Sequence, residues 1–316
     1  MIVRRRTTVL VTSLVLNNGR RMDRDRDRPA DLRLGPLGGA NDENKIVARR
    51  RIAVHTRYRS AVSRAVAVVL LLATRAAADE ITVMTSGAFT AAHLAVTPEF
   101  ERTTHHHIVT VYGASMGNAP DSIPNRLQRG EAADVVIMAA QALDDLIKQG
   151  KVVAGSRVDL ARSRIGVAVR AGAPRPDISS LDALKRALLQ AKSIAYSSSA
   201  SGVYISTELL PRLGIAAAVK AKSRVVESGP VGAVVARGDA EIGFQQISEL
   251  LPVEGVDVVG PLPAAAQRVT VFSSGIAASS RAPEAARALI AYLASRAIAP
   301  ALRKTGLEPI ADEPGR

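Results

Sequence analysis

The sequence predicts an α/β protein built on mostly parallel sheets flanked by helices. From residue 79 onward, short runs of β-branched residues alternate with amphipathic stretches of helical length. Ser, Gly and Pro stand at most of the junctions, as they do where helices begin and end. Such alternation is typical of parallel strands joined by crossover helices. The segment from residue 79 to the end, about 240 residues, can bury one large core or two modest ones.

Each predicted element follows from a local pattern. Strands are predicted from apolar, β-branched runs at residues 81–84, 108–112, 134–138, 165–170, 193–196, 240–244, 256–259 and 269–272. A helix is predicted after Ser86-Gly87. Further helices, bounded by Ser or Pro at the start and mostly by Gly at the end, are predicted at residues 123–129, 140–149, 181–190, 202–213 and 283–294.

The segment before the first predicted strand has the features of a secretion leader. Residues 57–78 contain a basic start, an apolar stretch at 65–73 and the small-residue exit Ala76-Ala77-Ala78. We therefore predict a cleaved signal peptide at 57–78. Residues 1–56 mix charges with Gly and Pro without a period. They are interpreted either as a disordered extension or as the product of a start codon assigned too far upstream.

Composition excludes several classes of function. Residues 1–78 hold 17 Lys and Arg against 6 Asp and Glu, so +11 of the formal charge of +13 lies there. The remaining chain is nearly neutral, which argues against nucleic-acid binding. The chain has no Cys, and this excludes disulfides, thiolate metal sites and cysteine nucleophiles. It also lacks Trp and has few aromatic residues, so stacking platforms for single-stranded nucleic acid are not expected.

Two apolar segments about a hundred residues apart, at 162–169 and 268–276, are interpreted as crossings between two lobes. Residues 79–163 and 271–316 then form one lobe, and residues 164–270 form the other. One continuous sheet is the alternative.

Four strand-to-helix turns share one chemistry. They are Thr85-Ser86-Gly87, the Ala114 to Gly117 turn, the Ser197 to Gly202 turn, and Gly229-Pro230-Val231-Gly232. Each places small or hydroxyl residues at a helix start, where unpaired N–H groups and the helix dipole attract anions. In an open α/β sheet such turns meet at the carboxyl ends of the strands. None contains Lys or Arg, so we predict a site that holds a small anion by neutral donors.

Several longer segments carry a family resemblance. They are ITVMTSGAF, RGEAADVVIMA, RIGVAVRAGAP, YSSSASGVYISTELLPRLGI, GAVVARGDAEIGFQQISEL and KTGLEPI. Together they resemble the periplasmic solute-binding proteins of ABC importers, and most of all the molybdate-binding family, over nearly all of residues 80–310. The resemblance implies a two-lobed, type II clamshell that captures an oxyanion such as molybdate. It implies delivery of that anion to an ABC permease in the inner membrane by a periplasmic monomer, without catalysis, cofactor or metal.

The resemblance also implies the ligand contacts. Ser86 and Ser115 match the two serines of the family, with Gly87 and Met116 beside them. The remaining expected contacts are Ser199, Ala200, Ser201, Val231 and Gln246. The Asp-Pro segment of the family is missing near Ser199, and Phe244-Gln245-Gln246 stands where the family has a Tyr hydroxyl.

Three other interpretations remain open. A small organic carboxylate is the alternative ligand, because Gln245, Gln246 and Tyr204 suit a larger guest, and Arg126 or Arg224 in the cleft would favour it. A serine-dependent enzyme on the same clamshell would use Ser86 or Ser199 with His93 as base. His105-His106-His107 is interpreted as a surface turn, since adjacent side chains diverge too far to bind one metal ion.

Overall fold

The computed structural model describes residues 79–311. The predicted extension at 1–56 and the predicted signal peptide at 57–78 lie outside the described residues. The strands of the described part are β1 (Glu80–Thr85), β2 (His107–Tyr112), β3 (Val135–Ala139), β4 (Val158–Arg170), β5 (Ile194–Ser197), β6 (Ser223–Val226), β7 (Ile242–Gln246), β8 (Val256–Pro261), β9 (Val269–Ile276) and β10 (Glu308–Pro309).

The helices flank these strands in alternation. They are α1 (Gly87–Thr104), α2 (Ile123–Gln128), α3 (Ala140–Lys148), α4 (Leu181–Gln190), α5 (Ala200–Tyr204), α6 (Ala216–Val219), α7 (Val231–Ala236), α8 (Ile247–Leu250), α9 (Pro283–Leu293) and α10 (Ala299–Lys304). Helix α5 continues through a π-helical turn at Ile205–Leu209. At its start Gly202 is required, because a Cβ there would overlap the Ser197 carbonyl oxygen.

The strands run in the order β2-β1-β3-β9-β4-β7-β5-β6, and β8 and β10 also pair with β4. Strands β2, β1 and β3 are parallel to one another, and so are β6, β5 and β7. We call β1, β2, β3, β9, β10 and the start of β4 the first half-sheet. The end of β4 with β5 to β8 is the second half-sheet.

Strand β4 takes part in both half-sheets. Its start pairs antiparallel with β9, with Arg162 opposite Val271, and its end pairs antiparallel with β7, with Val167 opposite Phe244. The lobe boundaries at 163/164 and 270/271 stay a prediction, although β4 and β9 are the strands on which they were placed.

Each half-sheet has its own apolar core. In the first, α1 and α9 pack on the sheet through residues such as Phe89 and Leu289, against Phe272. In the second, Phe244 and Leu184 belong to a separate buried cluster. The buried strand β3, with all five residues inaccessible, shows why its sequence is continuously apolar: helices cover both faces.

All eight predicted strands are present, and the differences have physical causes. Strand β4 begins at Val158 instead of 165, because pairing with β9 extends a segment whose own residues are weak strand formers. Strand β6 was not predicted; it is a four-residue edge strand whose central residues are exposed. No single helix within residues 79–311 has the length and apolar character to cross a membrane, and one bent pair, 283–293 with 296–304, meets that test by length and composition only.

Candidate functional site

A cavity of about 510 Å³ lies between the two half-sheets at the carboxyl ends of their strands. All four predicted turns contribute to its lining. The first half-sheet provides Ser86 and Gly87 after β1 and Ser115 after β2, and the second provides Ser197 to Ser201 after β5 and Gly229-Pro230 after β6. The volume lies within the range of ~300–1,000 Å³ that is usual for organic ligands and is far more than one four-oxygen ion needs.

Seven of the nine predicted contacts line this cavity: Ser86, Gly87, Ser115, Ser199, Ala200, Ser201 and Gln246. Met116 and Val231 do not. Met116 packs on the apolar cluster that contains Met84. Val231 is fully buried and its N–H donates to Gln245 Oε1 at 2.8 Å, so this N–H is not free for a ligand.

Three buried polar atoms in the lining have no hydrogen-bond partner. They are Ser86 Oγ, Ser248 Oγ and Gln246 Oε1. Because a buried polar atom without a partner costs about 1–3 kcal/mol, such atoms are rare unless a ligand or water completes them. Ser86 also precedes the free N–H groups at the start of the 18-residue helix α1. The arrangement provides hydroxyl and backbone donors for an anionic group.

Ser115 has a structural bond as well as a place in the lining. Its Oγ accepts a hydrogen bond from the Ala139 N–H at 2.9 Å, at the start of α3. The hydroxyl proton of Ser115 remains available to donate. This serine therefore joins the second turn to the end of β3.

A carboxylate that was not predicted from the sequence lies in the same cavity. Glu249, in α8, is partly buried, and its Oε1 accepts from Gln245 Nε2 at 2.9 Å. The same oxygen lies against Gly87 at the start of α1, where a Cβ would overlap it. A residue of the second half-sheet thus reaches the helix start of the first half-sheet that we expected a ligand anion to occupy.

Glu249 is poised to titrate near neutral pH. Burial raises the pKa of its carboxyl to about 7, and hydrogen bonds from the Gln245 amide and the Gln246 N–H only partly oppose that rise. The bond to Gln246, the residue before α8, has the spacing of a capping box, which would by itself favour the ionised form. Desolvation therefore dominates, and both protonation states are accessible at pH 7.

Among the described residues, the lining contains no Lys or Arg; its ionisable side chains are Glu249, Asp121, Glu227 and Tyr112. Arg126, one of the two cations considered for a carboxylate site, pairs with Glu131 at 2.7 Å. Arg224 lies on β6, outside the lining residues. The described lining residues that could donate hydrogen bonds to an anion are therefore neutral ones.

Two contacts cross the cavity mouth. Ser228 Oγ, after β6, donates to Asp121 Oδ2 at 3.0 Å. Gly117, with φ of 100°, lies so close to Ser198 that a Cβ would be 2.8 Å from its carbonyl oxygen. The half-sheets therefore touch on the open side of the cavity as well as at β4 and β9.

The other residues considered for catalysis or binding have structural roles. His93 is fully buried, shares a hydrogen bond with Thr110 Oγ1 at 3.0 Å and has its pKa lowered by burial to about 4, so it does not serve Ser86 as a base. Tyr204 is buried in the second half-sheet and donates to the Ala266 carbonyl at 2.7 Å.

The three histidines at 105–107 do not form a metal site. His105 ends α1 with φ of 63°, His106 accepts from the Asp79 N–H, and His107 lies 3.1 Å from Glu101 Oε1. Within residues 79–311 no group of three or more His, Cys, Asp or Glu is arranged to hold a metal ion.

Glu249 and Ser248 were not predicted as site residues. They follow Gln246, the last residue of β7, by three and two positions, and the predicted contacts on this side of the cavity ended at that glutamine. The spacing Gln246-x-x-Glu249 was a usable signal, since it places an acid in the first turn of a helix that begins at the site. That this acid is desolvated depends on the approach of Gly87 from the other half-sheet, which no local pattern shows.

The chain resembles several characterised proteins. The profile of a family described as bacterial extracellular solute-binding protein matches residues 81–308. Aconitate isomerase from Pseudomonas sp is 49% identical over 234 residues, which are 74% of this chain and 89% of that protein. Molybdate-binding protein ModA from Azotobacter vinelandii is 30% identical over 185 residues, 57% of this chain and 69% of that protein.

The fold is shared with solved binding proteins. The sulfate-binding protein SubI from Mycobacterium tuberculosis H37Rv superposes with a TM-score of 0.60 at 19% identity, covering 74% of this chain and 88% of that chain. The predicted α/β clamshell and the predicted relationship to molybdate-binding proteins are thus confirmed.

One prediction is wrong. The resemblance to transport proteins led us to expect no catalysis, yet a relative that shares nearly half its residues over most of its length is an enzyme by name. The expectation followed from that resemblance, and it did not take account of Glu249, an ionisable side chain in the lining of the cavity. The matched profile and both relatives place this chain in the family of bacterial extracellular solute-binding proteins.

Proposed function

We propose that the protein is an exported enzyme that isomerises a small unsaturated polycarboxylate of the aconitate class by moving one proton between two carbons. The observation that carries the proposal is Glu249, a carboxyl with a pKa of about 7 inside the cavity. The 49% identical aconitate isomerase supports the substrate class.

The reaction needs one group that both accepts and returns a proton. Aconitate has a CH2 group next to its carbon–carbon double bond. Removal of one CH2 proton leaves an anion spread over three carbons and the attached carboxylates. Return of the proton to the far carbon moves the double bond, and the conformation of the former single bond decides whether the product is cis or trans. One proton is removed and one is returned, and the proton on the carrier can exchange with solvent in between, so no oxidant or second reactant is required.

Glu249 has the acidity for both steps. A carboxyl with an ordinary pKa is a weak base and, at pH 7, has no proton to return. With a pKa of about 7, Glu249 accepts the proton as carboxylate and donates it as acid. Proton transfer of this kind contributes typically ~10²–10⁴-fold to an enzymatic rate.

Neutral donors complete the site. Ser86 and Ser248 offer buried hydroxyls, and Gly87 and Ala88 offer the first N–H groups of α1. These groups suit substrate carboxylates and the negative charge that develops as the proton leaves. A polyanion beside Glu249 favours its protonated form, so we expect substrate binding to take up protons and to weaken as pH rises above 7.

The test is isomerisation in D2O. Wild-type protein should interconvert cis- and trans-aconitate and incorporate solvent deuterium at the exchanging carbons, both measured by proton NMR. Glu249→Gln should lower kcat by ~10²–10⁴-fold, because it removes the proton carrier. Glu254→Gln, an exposed acid five residues away, is the matched control and should retain activity. Tight aconitate binding without isomerisation or exchange would reject the enzymatic proposal.

Capture of an anion for an ABC permease is a second function, and it is compatible with the first. The cation-free lining and the 30% identical molybdate-binding relative favour it. The cavity volume of about 510 Å³ disfavours molybdate itself, because it is far more than one four-oxygen ion needs. We therefore expect thermal stabilisation by aconitate and little by molybdate or sulfate. A large shift with molybdate alone would reverse this order.

The location and partners of the protein belong to the same proposal. Export to the periplasm is supported by the family and by the leader features of residues 57–78. The permease partner is inferred from the family alone, and the monomeric state stays a prediction.

A further inference from the structure

We propose that Gln245 is a positioning residue for Glu249, fixing the orientation of its carboxyl in the cavity. Its consequence for catalysis rests on the proposed function above, whereas the hydrogen bonds that it describes do not depend on the ligand. Apart from Gln245, the Glu249 carboxyl has a hydrogen bond from the Gln246 N–H, which lies on the same short helical turn as Glu249. One such local bond leaves the side chain more than one rotamer.

The orientation of the Gln245 amide follows from its partners. Its oxygen receives the Val231 N–H at 2.8 Å, and a backbone N–H can only donate. The NH2 group must therefore point the other way, where it donates to Glu249 Oε1 at 2.9 Å. The amide cannot be reversed without losing both bonds, so Val231, Gln245 and Glu249 form a chain with one direction.

The Val231 and Gln245 end of this hydrogen-bond chain is rigid. Gln245 is 3% exposed and lies in β7, opposite Gly166 of β4. Val231 is fully buried at the start of α7. On its far side the held oxygen meets Gly87 of the first half-sheet. The carboxyl is thus confined between a fixed amide and a helix start, which is how an enzyme keeps a proton carrier within reach of a substrate carbon.

This chain of hydrogen bonds also controls the acidity of Glu249. Helix α8 packs against α1, α7, β4, β7 and β8, yet no charged side chain from these elements is among the causes of the Glu249 pKa. Burial and the bonds from Gln245 and Gln246 are those causes. Asp121, Glu227 and Tyr112, the other ionisable side chains of the described lining, are not among those causes either. Loss of the Gln245 bond should therefore raise the pKa without compensation from a neighbouring charge.

The experiment follows the Glu249 titration directly. Carbon-13 NMR of protein labelled at the Glu side-chain carboxyl carbons gives the Glu249 midpoint, assigned by its loss in Glu249→Gln. Gln245→Met keeps the side-chain length but not the amide, and should raise the midpoint by about one pH unit, the effect of one hydrogen bond to a charged group. Gln267→Met, in a loop outside the cavity lining, is the matched control and should leave the midpoint unchanged.

Gln245→Glu guards against a folding failure, because its carboxylate still accepts the Val231 N–H. It offers no donor to Glu249 and places two carboxyls together, so the upper midpoint of the pair should rise by more than one unit. The acid-base limb of the kcat/KM profile should move with the NMR midpoint in both variants. For Gln245→Met we expect a shift of the midpoint by about one pH unit. A midpoint within about 0.3 pH units of wild type in the folded variant would overturn the inference. If wild type proves inactive, the proposed function fails while the titration still tests Gln245.

Discussion

Two carboxylates, Asp134 and Glu249, show how one chemical group serves two purposes in this molecule. Asp134, beside β3, accepts four hydrogen bonds: from the Thr82, Arg281 and Ala282 N–H groups and the Ser280 hydroxyl. Burial by itself raises the pKa of Asp134. The hydrogen bonds together lower that pKa by more than burial raises it, so the pKa lies below its usual value. Glu249 has fewer donors and a pKa of about 7. The number of hydrogen-bond donors, and not burial alone, decides whether a carboxylate stays ionised or exchanges protons near neutral pH.

The largest expected effect comes from removing the Asp134 carboxylate. Asp134→Ala leaves three part-buried N–H groups without an acceptor and should lower the free energy of unfolding by about 3 kcal/mol. Urea denaturation at pH 7 measures this. Asp182→Ala, an exposed acid in the first turn of α4, is the control and should cost less than about 1 kcal/mol. Equal losses in the two variants would contradict the assigned role of Asp134.

The second effect distinguishes the two carboxylates by pH. The folded-state pKa of Glu249 is raised above the ordinary 4.5, so its contribution to stability is complete below pH 4.5 and is lost as pH rises to about 7. Glu249→Gln should therefore be more stable than wild type above pH 7, by about 2 kcal/mol, and equal to it below pH 4.5. Asp134 has the opposite sign, because its lowered pKa gives stability that is lost as pH falls below 3.8.

Denaturant unfolding between pH 2 and pH 8 measures both slopes. The Glu249→Gln gain must grow with pH; a constant difference would show that Glu249 titrates with an ordinary pKa. Such a result would also remove the main support for Glu249 as proton carrier.

The sequence predicted the fold and the four turns, but it did not predict that the pKa values of Asp134 and Glu249 differ. Strands such as β3 and helix starts such as Ser86 follow from local patterns, since burial on both faces and free N–H groups leave clear signatures in composition. The acidity of Glu249 depends on Gly87, which is distant in sequence and belongs to the other half-sheet. No local pattern showed that the N–H of Val231, which stays a predicted contact, donates to Gln245 on β7.

A third prediction compares two serines of the cavity. Ser86 Oγ has no partner, whereas Ser115 Oγ accepts from the Ala139 N–H. Ser86→Ala should raise stability by about 1 kcal/mol, because it removes a buried hydroxyl without a partner, and Ser115→Ala should lower stability by about 1–2 kcal/mol. Each should weaken aconitate binding about tenfold, because each hydroxyl donates to a charged ligand. Calorimetry and thermal melts measure the two quantities. A stability loss in Ser86→Ala equal to that in Ser115→Ala would refute the difference.

The smallest effect concerns the contact across the cavity mouth. The bond from Ser228 to Asp121 joins the two half-sheets, whereas the bond from Ser223 Oγ to the Val219 carbonyl stays within the second half-sheet. If the half-sheets separate to admit ligand, only the first bond is made on closing, and Ser228→Ala should lower ligand affinity by two- to fivefold, or about 0.5–1 kcal/mol. Ser223→Ala should leave affinity unchanged. Calorimetric titration with aconitate compares the two variants. Unchanged affinity in Ser228→Ala would mean that this contact persists in the open form or contributes no net energy. The energy of closure would then have to come from the ligand and from the approach of Glu249 to Gly87.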